Sequence, residues 1–539
     1  EQSLKGINNE SFPGIEYQFQ TENGILSIES ILLNGNDFST SNNLQNIPLD
    51  NSTFEVEFNF ALDESNYKNY FSIIGFNHLE TSLSNDNKTV TAVISQQLSG
   101  LQKYYFNISA GLTSEQGYSF NGFSNFFYSA IDSTPKFPPL SDEDLLTLIQ
   151  EQTFKFYWDY AHPVCGLSRE RLGSGDIVTS GGSGFGLMAL IVGTERGFIS
   201  RTQLIDRLET IITFLESSDR FHGAWPHWLN GSTGKVQPFS TNDDGADLVE
   251  TAFLVQGLIT IRQYLNQNTP EESGLIDRIN ILWQSVEWDW FTRDENVLYW
   301  HWSPDKEWIM NMAIRGYNEA SIVYILAASS TTHTIDADVY HEGYMRSGGV
   351  INDKDFYGIT LPLGYDYGGP LFFAHYSFLG LDPRNLQDQY ANYWEQNRNH
   401  TLINRAYCIN NPKQFLSYSE KCWGLTASDN HEGYNAHSPT NDLGVITPTA
   451  AISSLPYTPE ESMEAIKFFY YTLGDKLWGE YGFFDAFNAT EGWWADSYIS
   501  IDQGPIICMI ENYRTALLWD LFMSAPEVQS GLTKLGFSY

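Results

Sequence analysis

Between Phe54 and Phe60 apolar and polar residues alternate: Phe54, Val56, Phe58 and Phe60 fall on one side, Glu55, Glu57 and Asn59 on the other. A period of two belongs to a strand with one buried face. Comparable runs at 70–76, 89–96, 104–112 and 123–131 are separated by Asn, Asp, Ser and Gly. Short strands at this spacing predict an antiparallel sandwich of immunoglobulin-like size. Pro135, Pro138 and Pro139 interrupt the pattern, and Ser141 with Asp144 forms a helix start signal, a capping side chain and its third-residue partner. From Asp142 the apolar period becomes helical, at 145–160, 185–194, 204–215, 247–264, 275–288, 319–328, 386–394, 463–473 and 506–522. The connecting loops at 221–242, 299–316, 343–369, 419–447 and 482–504 are long and rich in Gly, Trp, Asn and Asp. Loops of that length in a compact domain usually carry function. The expected division is a β-sandwich domain over 1–134, a linker over 135–141 and a helical domain over 142–539. Without βα alternation, a helical toroid fits better than a doubly wound sheet.

Charge narrows the function. Lys and Arg number 29 against 66 Asp and Glu in 539 residues, a formal charge of -37 with a pI near 4.4. Such a surface repels phosphate backbones and anionic lipid, so nucleic acid and membrane surfaces are excluded as general partners. A disordered acidic chain is excluded too, because 42% of residues are hydrophobic and 15% aromatic. No apolar run approaches the roughly 20 residues that span a bilayer. The start at Glu1, with neither Met nor a signal-type apolar region, carries the expectation of a processed chain exported to the periplasm or secreted. Four cysteines do not make a disulfide scaffold. Cys408 and Cys422 are close enough in sequence for a loop-closing bridge, and Cys165 and Cys508 equally read as buried thiols.

No cofactor or metal motif emerges. The glycines of Gly181-Gly182-Ser183-Gly184-Phe185-Gly186 lack the spacing of a dinucleotide fingerprint, the Lys-Ser/Thr pair of a phosphate loop and the final glycine of a nucleophile elbow, leaving close helix packing or a tight turn as their reading. His341-Glu342-Gly343-Tyr344 and His431-Glu432-Gly433-Tyr434 repeat a tetrapeptide without the second His of a zinc helix. The acids Asp243, Asp244, Asp247 and Glu250 are more telling. A helix beginning near Asn242 would place Asp243, Asp247 and Glu250 on one face, where mutual repulsion raises at least one pKa. Alone, such a first turn reads as helix capping. Its company changes that: His222-Gly223-Ala224-Trp225-Pro226-His227-Trp228 stands upstream, and Tyr299-Trp300-His301-Trp302-Ser303-Pro304 with Trp308 downstream. Trp and His gathered in loops suit the apolar faces and hydroxyl edges of sugar rings. Arg315, Tyr317 and Glu319 close the second loop, and Trp423 and Trp493, the latter near Asp496 and Asp502, extend the candidate platform. Paired carboxyls beside aromatic platforms point to glycoside chemistry.

These segments, with Gly316-Tyr317-Asn318-Glu319 and Asp502-Gln503-Gly504-Pro505, resemble the bacterial β-1,2-glucanase and sophorohydrolase family of glycoside hydrolases. The resemblance extends over nearly all of 142–539. It implies an (α/α)6 toroid whose cleft holds a β-1,2-linked glucan or oligosaccharide, acting by an inverting, metal-independent mechanism. By motif it implies Glu319 as general acid and Asp502 on the base side, with Asp496 as the neighbouring candidate, and Asp243, Asp247 and Glu250 as further cleft acids. Endo-acting members can lack an amino-terminal sandwich, so its presence raises exo action with release of sophorose. The competing readings are a non-catalytic glycan-binding protein, a glucoamylase-like hydrolase of another linkage and, with Arg169, Arg171 and Arg315 as candidate phosphate ligands, a phosphorylase. The oligomeric state is not legible from the sequence.

Overall fold

The computed structural model describes residues 4–18, 24–40, 44–76 and 79–539. The chain divides into two compact units, Glu1–Asp132 and Ser133–Tyr539.

The first unit is all β. Strands β1 (Ile28–Leu33), β2 (Asn36–Asp37), β4 (Thr53–Phe58), β6 (Glu80–Leu83) and β7 (Thr89–Val93) form one sheet in the order β2-β1-β4-β7-β6. The second sheet, ordered β3-β9-β8-β5, contains β3 (Leu44–Ile47), β5 (Phe71–Ile73), β8 (Lys103–Ile108) and β9 (Phe123–Ser129). The alternation in β4 is expressed directly: Phe54, Val56 and Phe58 are buried while Glu55 and Glu57 face outward. Phe54 of the first sheet stacks on Phe106 of the second at 3.9 Å between ring centroids, so the two sheets share one aromatic core. Strands β1, β2, β3 and β6 escaped the hydrophobic pattern. β6 reads Glu-Thr-Ser-Leu at the edge of its sheet and has no apolar alternation to detect.

The second unit is mainly helical. Its helices are α1 (Asp142–Trp158), α2 (Ser180–Glu195), α3 (Arg201–Ser217), α4 (Leu248–Tyr264), α5 (Pro270–Gln284), α6 (Ser321–Ser329), α7 (Tyr393–Asn410), α8 (Pro448–Ile452), α9 (Pro459–Lys467), α10 (Gly474–Leu477), α11 (Ser500–Thr515), α12 (Leu517–Met523) and α13 (Pro526–Lys534). The Ser141 side chain caps α1 by accepting the Asp144 N–H. Two kinds of helix occur. α2, α4, α6 and α11 are buried along most of their length, whereas α1, α3 and α5 bury one stripe and expose the other. α2 packs between α4 and α11, and α4 between α2 and α6. The glycine-rich start of α2 permits this. A Cβ on Gly184 would lie 2.1 Å from the Phe253 carbonyl oxygen, and one on Gly257 would lie 2.1 Å from the Gly184 carbonyl oxygen.

The stretch expected at 506–522 is two helices, α11 and α12, parted at Ala516, and another helix departs from its expected position. The stretch expected at 386–394 begins at Tyr393 and runs to Asn410, capped by the Asn392 side chain. Its buried face carries Gln396, Asn397, His400, Thr401 and Asn404, each making at least one hydrogen bond, so apolar periodicity is weak there. Cys165, Cys408, Cys422 and Cys508 are buried free thiols, so the bridge considered for Cys408 and Cys422 is not formed. Among the described residues no helix is long and apolar enough to cross a membrane.

Candidate active site

A cavity of about 420 Å³ opens where the amino-terminal ends of the buried helices meet. Its walls include Thr179 before α2, Val249, Glu250 and Phe253 of α4, Glu319 before α6, and Ile499 and Ile501 at the start of α11. Helix amino termini present unpaired N–H groups and a partial positive charge. The Gly181 N–H of α2 donates accordingly to Glu250 Oε2 at 2.8 Å.

The acids assemble differently from the expected helix face. α4 begins at Leu248, not near Asn242, because Asp247 is its cap: Oδ1 accepts the Val249 and Glu250 N–H groups at 3.0 Å each. Ala246 and Asp247 form a two-residue strand against Trp302 and His301, which sets His301 opposite Asp247. Asp243 closes a tight turn with Ser240, and Asp244 turns away to Lys306 Nζ at 3.0 Å. His227 precedes a strand paired with Ile177–Thr179, the segment entering α2, and its Nδ1 lies 3.0 Å from Asp247 Oδ2. His301 Nε2 is 3.5 Å from both Asp243 Oδ2 and Asp247 Oδ2.

These contacts split the ionisation of the acids. Burial pushes Asp247 up, but hydrogen bonds from His227 and His301 outweigh it and hold the carboxyl well below its ordinary range. Burial and the charge of Asp247 raise Asp243 to about 6. Burial opposes charge on His227, yet Glu250, Asp247 and Asp243 raise it to about 9. Burial also raises Glu250, and it lifts Glu319 to about 7, with Glu250 and Asp247 adding repulsion. Asp502 rises to about 7, chiefly through burial. Ionised Asp247 is thereby held near Glu319, whose proton titrates close to neutrality. Donor atoms of His227, Asp243 and Asp247 lie within 4.8 Å of one another, a spacing that could hold a metal ion. The charged His227 ring supplies there the counter-charge a cation would bring.

Of the sequence candidates, His227, Trp228, Glu250, Trp300 and Glu319 line the cavity, with Asp243, Asp247 and His301 joined to them through the contacts above. Asp502 lies in the first turn of α11, 1% exposed, behind Tyr376, whose hydroxyl donates to its Oδ1 at 3.0 Å. Asp496 is exposed. Other candidates are placed elsewhere. Trp225 is a core residue, its ring covered by the Arg220 guanidinium and its Nε1 donating to Ser218 Oγ. Tyr317 is buried with its hydroxyl on Asn397, and Trp423 is fully buried. Trp302 and Trp308 belong to a separate aromatic group, in which Trp308 stacks on Trp290 and Trp302 meets Trp290 and His222 edge-on. Arg315 is exposed, and Trp493 pairs in a short strand with Asn488; neither lines the cavity.

Sequence reasoning missed Glu170, Phe239, Phe372, Tyr376 and Tyr434, which also line the cavity. Tyr434 ends the second His-Glu-Gly-Tyr tetrapeptide, on the hairpin Ala427–Asn430 and Gly433–Ala436, so the repeated motif was a signal. The others carry no local pattern.

Residues 311–526 match the family described as "Glycoamylase: Putative glucoamylase". The chain is 46% identical over 420 residues to an exo β-1,2-glucooligosaccharide sophorohydrolase (non-reducing end) from Parabacteroides distasonis; the match takes in 74% of this chain and 58% of that protein. Among solved structures, an endo-β-1,2-glucanase from Chitinophaga pinensis in complex with sophorotriose and glucose is 54% identical with a TM-score of 0.73, over 74% of this chain and 99% of that one. A β-1,2-glucanase from Parabacteroides distasonis is 36% identical with a TM-score of 0.72, over 95% of this chain and 74% of that one.

Proposed function

The chain belongs to the β-1,2-glucanase family of glycoside hydrolases, and from that premise we propose that it hydrolyses β-1,2-glucosidic bonds of β-1,2-glucan or its oligosaccharides. The observation that carries the reading is Glu319, a cavity-lining carboxyl lifted to about 7 and so able to give a proton to a leaving oxygen at neutral pH. Trp228, Trp300 and Phe372 offer ring faces to the sugar, and His227 and Glu250 offer polar partners. We read the buried and amphipathic helices as the two layers of an (α/α)6 toroid, the amino-terminal unit as an immunoglobulin-like sandwich, and 135–141 as the linker between them. Displacement by water with inversion is the proposed course, with Glu319 as acid and Asp502 on the base side. Phosphorolysis is disfavoured. Arg171, the sole Arg or Lys of the cavity wall among the described residues, is held by Glu170 at 2.9 Å and Asp429 at 2.9 Å.

The test is incubation with linear β-1,2-, β-1,3-, β-1,4- and α-1,4-glucans, following products and their anomeric form by NMR over time. Release from β-1,2-glucan with an initial α anomer is expected. Early sophorose supports exo action and early mixed oligomers support endo action. Turnover confined to the α-1,4 glucan overturns the linkage, and tight binding without turnover favours a glycan-binding protein.

A further inference from the structure

Behind the cavity wall lie two carboxyl groups that ordinary hydrogen bonding leaves incomplete. Asp485 is 2% exposed; its Oδ2 accepts the Asp429 N–H at 2.7 Å, and its Oδ1 has no donor. Asp502 is 1% exposed; its Oδ1 accepts the Tyr376 hydroxyl at 3.0 Å, and its Oδ2 has no donor. The two side chains lie within hydrogen-bonding reach of each other. Two carboxylates are both acceptors, so that contact requires a proton between them. An unpaired ionised pair at this depth is prohibitive, whereas one shared proton satisfies both orphaned oxygens.

Asp502 does not line the cavity, but Tyr376 does. Its ring stacks on Phe372, also a wall residue, at 4.9 Å between centroids, and its hydroxyl points to Asp502. The phenol is therefore the link between the cleft and the buried pair. We propose that Tyr376, Asp502 and Asp485 form one proton-accepting unit, in which Tyr376 meets the substrate side and Asp485 is a positioning residue that holds the proton shared with Asp502.

The inference rests on the hydrolase reading above. As a water oxygen forms its bond to the anomeric carbon, its proton passes to the Tyr376 oxygen while the Tyr376 proton passes to Asp502. The glycosidic C–O bond breaks, and the leaving oxygen takes the Glu319 proton. No net phenolate forms, which suits a hydroxyl that burial and Asp502 keep protonated far above neutrality. The groups around the pair are Asp429 with its partner Arg171, Tyr434, Tyr157 and, beyond Tyr376, Glu250. Arg171 supplies the nearby positive charge, and Glu170 shares it.

Three variants test the unit on β-1,2-glucan. Tyr376→Phe keeps the stacked ring and is expected to lower kcat about 100-fold with little change in KM. Asp485→Asn keeps a donor toward Asp502 but removes the titrating partner, so the acid limb of the pH–rate profile moves about one unit lower. Asp485→Ala removes the donor as well, and its kcat falls below that of Asp485→Asn at every pH. Near-normal kcat in Tyr376→Phe, or an unshifted acid limb in Asp485→Asn, overturns the proposal, including when Asp485→Asn lowers the rate uniformly. Difference infrared spectroscopy gives a readout without turnover: wild type minus Asp485→Asn at neutral pH is expected to show a carboxylic-acid C=O band, and its absence overturns the shared proton. A wild type that leaves every glucan intact refutes the hydrolase reading, while the infrared result still decides the pair.

Discussion

Replacing Glu319 by Gln should abolish hydrolysis and, at the same time, stabilise the protein at alkaline pH. Burial lifts the carboxyl from 4.5 to about 7, so the proton favours the folded state. Stability from this group is complete below about 4.5, declines as the pH rises to about 7 and is flat above it. Each pH unit of that interval is worth about 1.4 kcal/mol, so ionising Glu319 in the folded protein costs about 3 kcal/mol relative to the unfolded chain. Glutamine keeps the shape and cannot ionise. Chemical denaturation at pH 4 and pH 8 should therefore find Glu319→Gln close to wild type at the lower pH and about 3 kcal/mol more stable at the higher one. Activity should move the other way, with kcat on β-1,2-glucan lower by a factor of about 100 to 10,000 at and below neutral pH. A variant no more stable than wild type at pH 8 refutes the desolvation argument. Near-normal turnover removes Glu319 from the acid role.

Three other outcomes follow from the site and the core. With Glu319 and Asp502 each lifted to about 7, the pH–rate profile should be a narrow bell centred near neutrality; a broad plateau from acid to alkaline pH would contradict the pairing. Gly184→Ala drives a Cβ to 2.1 Å from the Phe253 carbonyl oxygen and should destabilise the helical unit by about 2–3 kcal/mol, read as a lower Tm; an unchanged Tm would show that α2 and α4 can separate there. Trp300→Ala, at the cavity wall, should raise KM up to about tenfold with the fold intact. Trp423→Ala, in the core, should instead cost about 3–5 kcal/mol of stability. The reverse pattern in circular dichroism and kinetics would exchange their roles.

Where one face of an element is wet, its pattern could be read along the chain. Phe54, Val56 and Phe58 announced β4, the stripes of α1, α3 and α5 announced the half-buried helices, and Ser141 with Asp144 announced the first cap. α7 was displaced because its buried face is polar and hydrogen-bonded, a state that apolar periodicity does not register. The acids Asp243, Asp247 and Glu250 were found as a cluster, but only Glu250 lies on the helix. The Asp247 carboxylate that caps α4 also stops that helix from starting earlier.

The sequence by itself determined the chemical inventory: carboxyl groups and aromatic rings gathered in long loops, with no nucleotide motif, which points to a neutral sugar. Tertiary structure decided which members of the inventory meet at the cavity. Trp225, Trp302, Trp308 and Trp423 look alike along the chain, yet each is held in the core or among other rings, while Trp228 and Trp300 line the cavity. Asp496 and Asp502 stand six positions apart, and only the helix start at Ser500 buries one and exposes the other. Asp485 carries no local signal at all, because its role depends on an oxygen 17 positions away in sequence that folding brings into contact. Burial and proximity are set by packing, and packing is what turns an ordinary carboxylate into an acid at neutral pH.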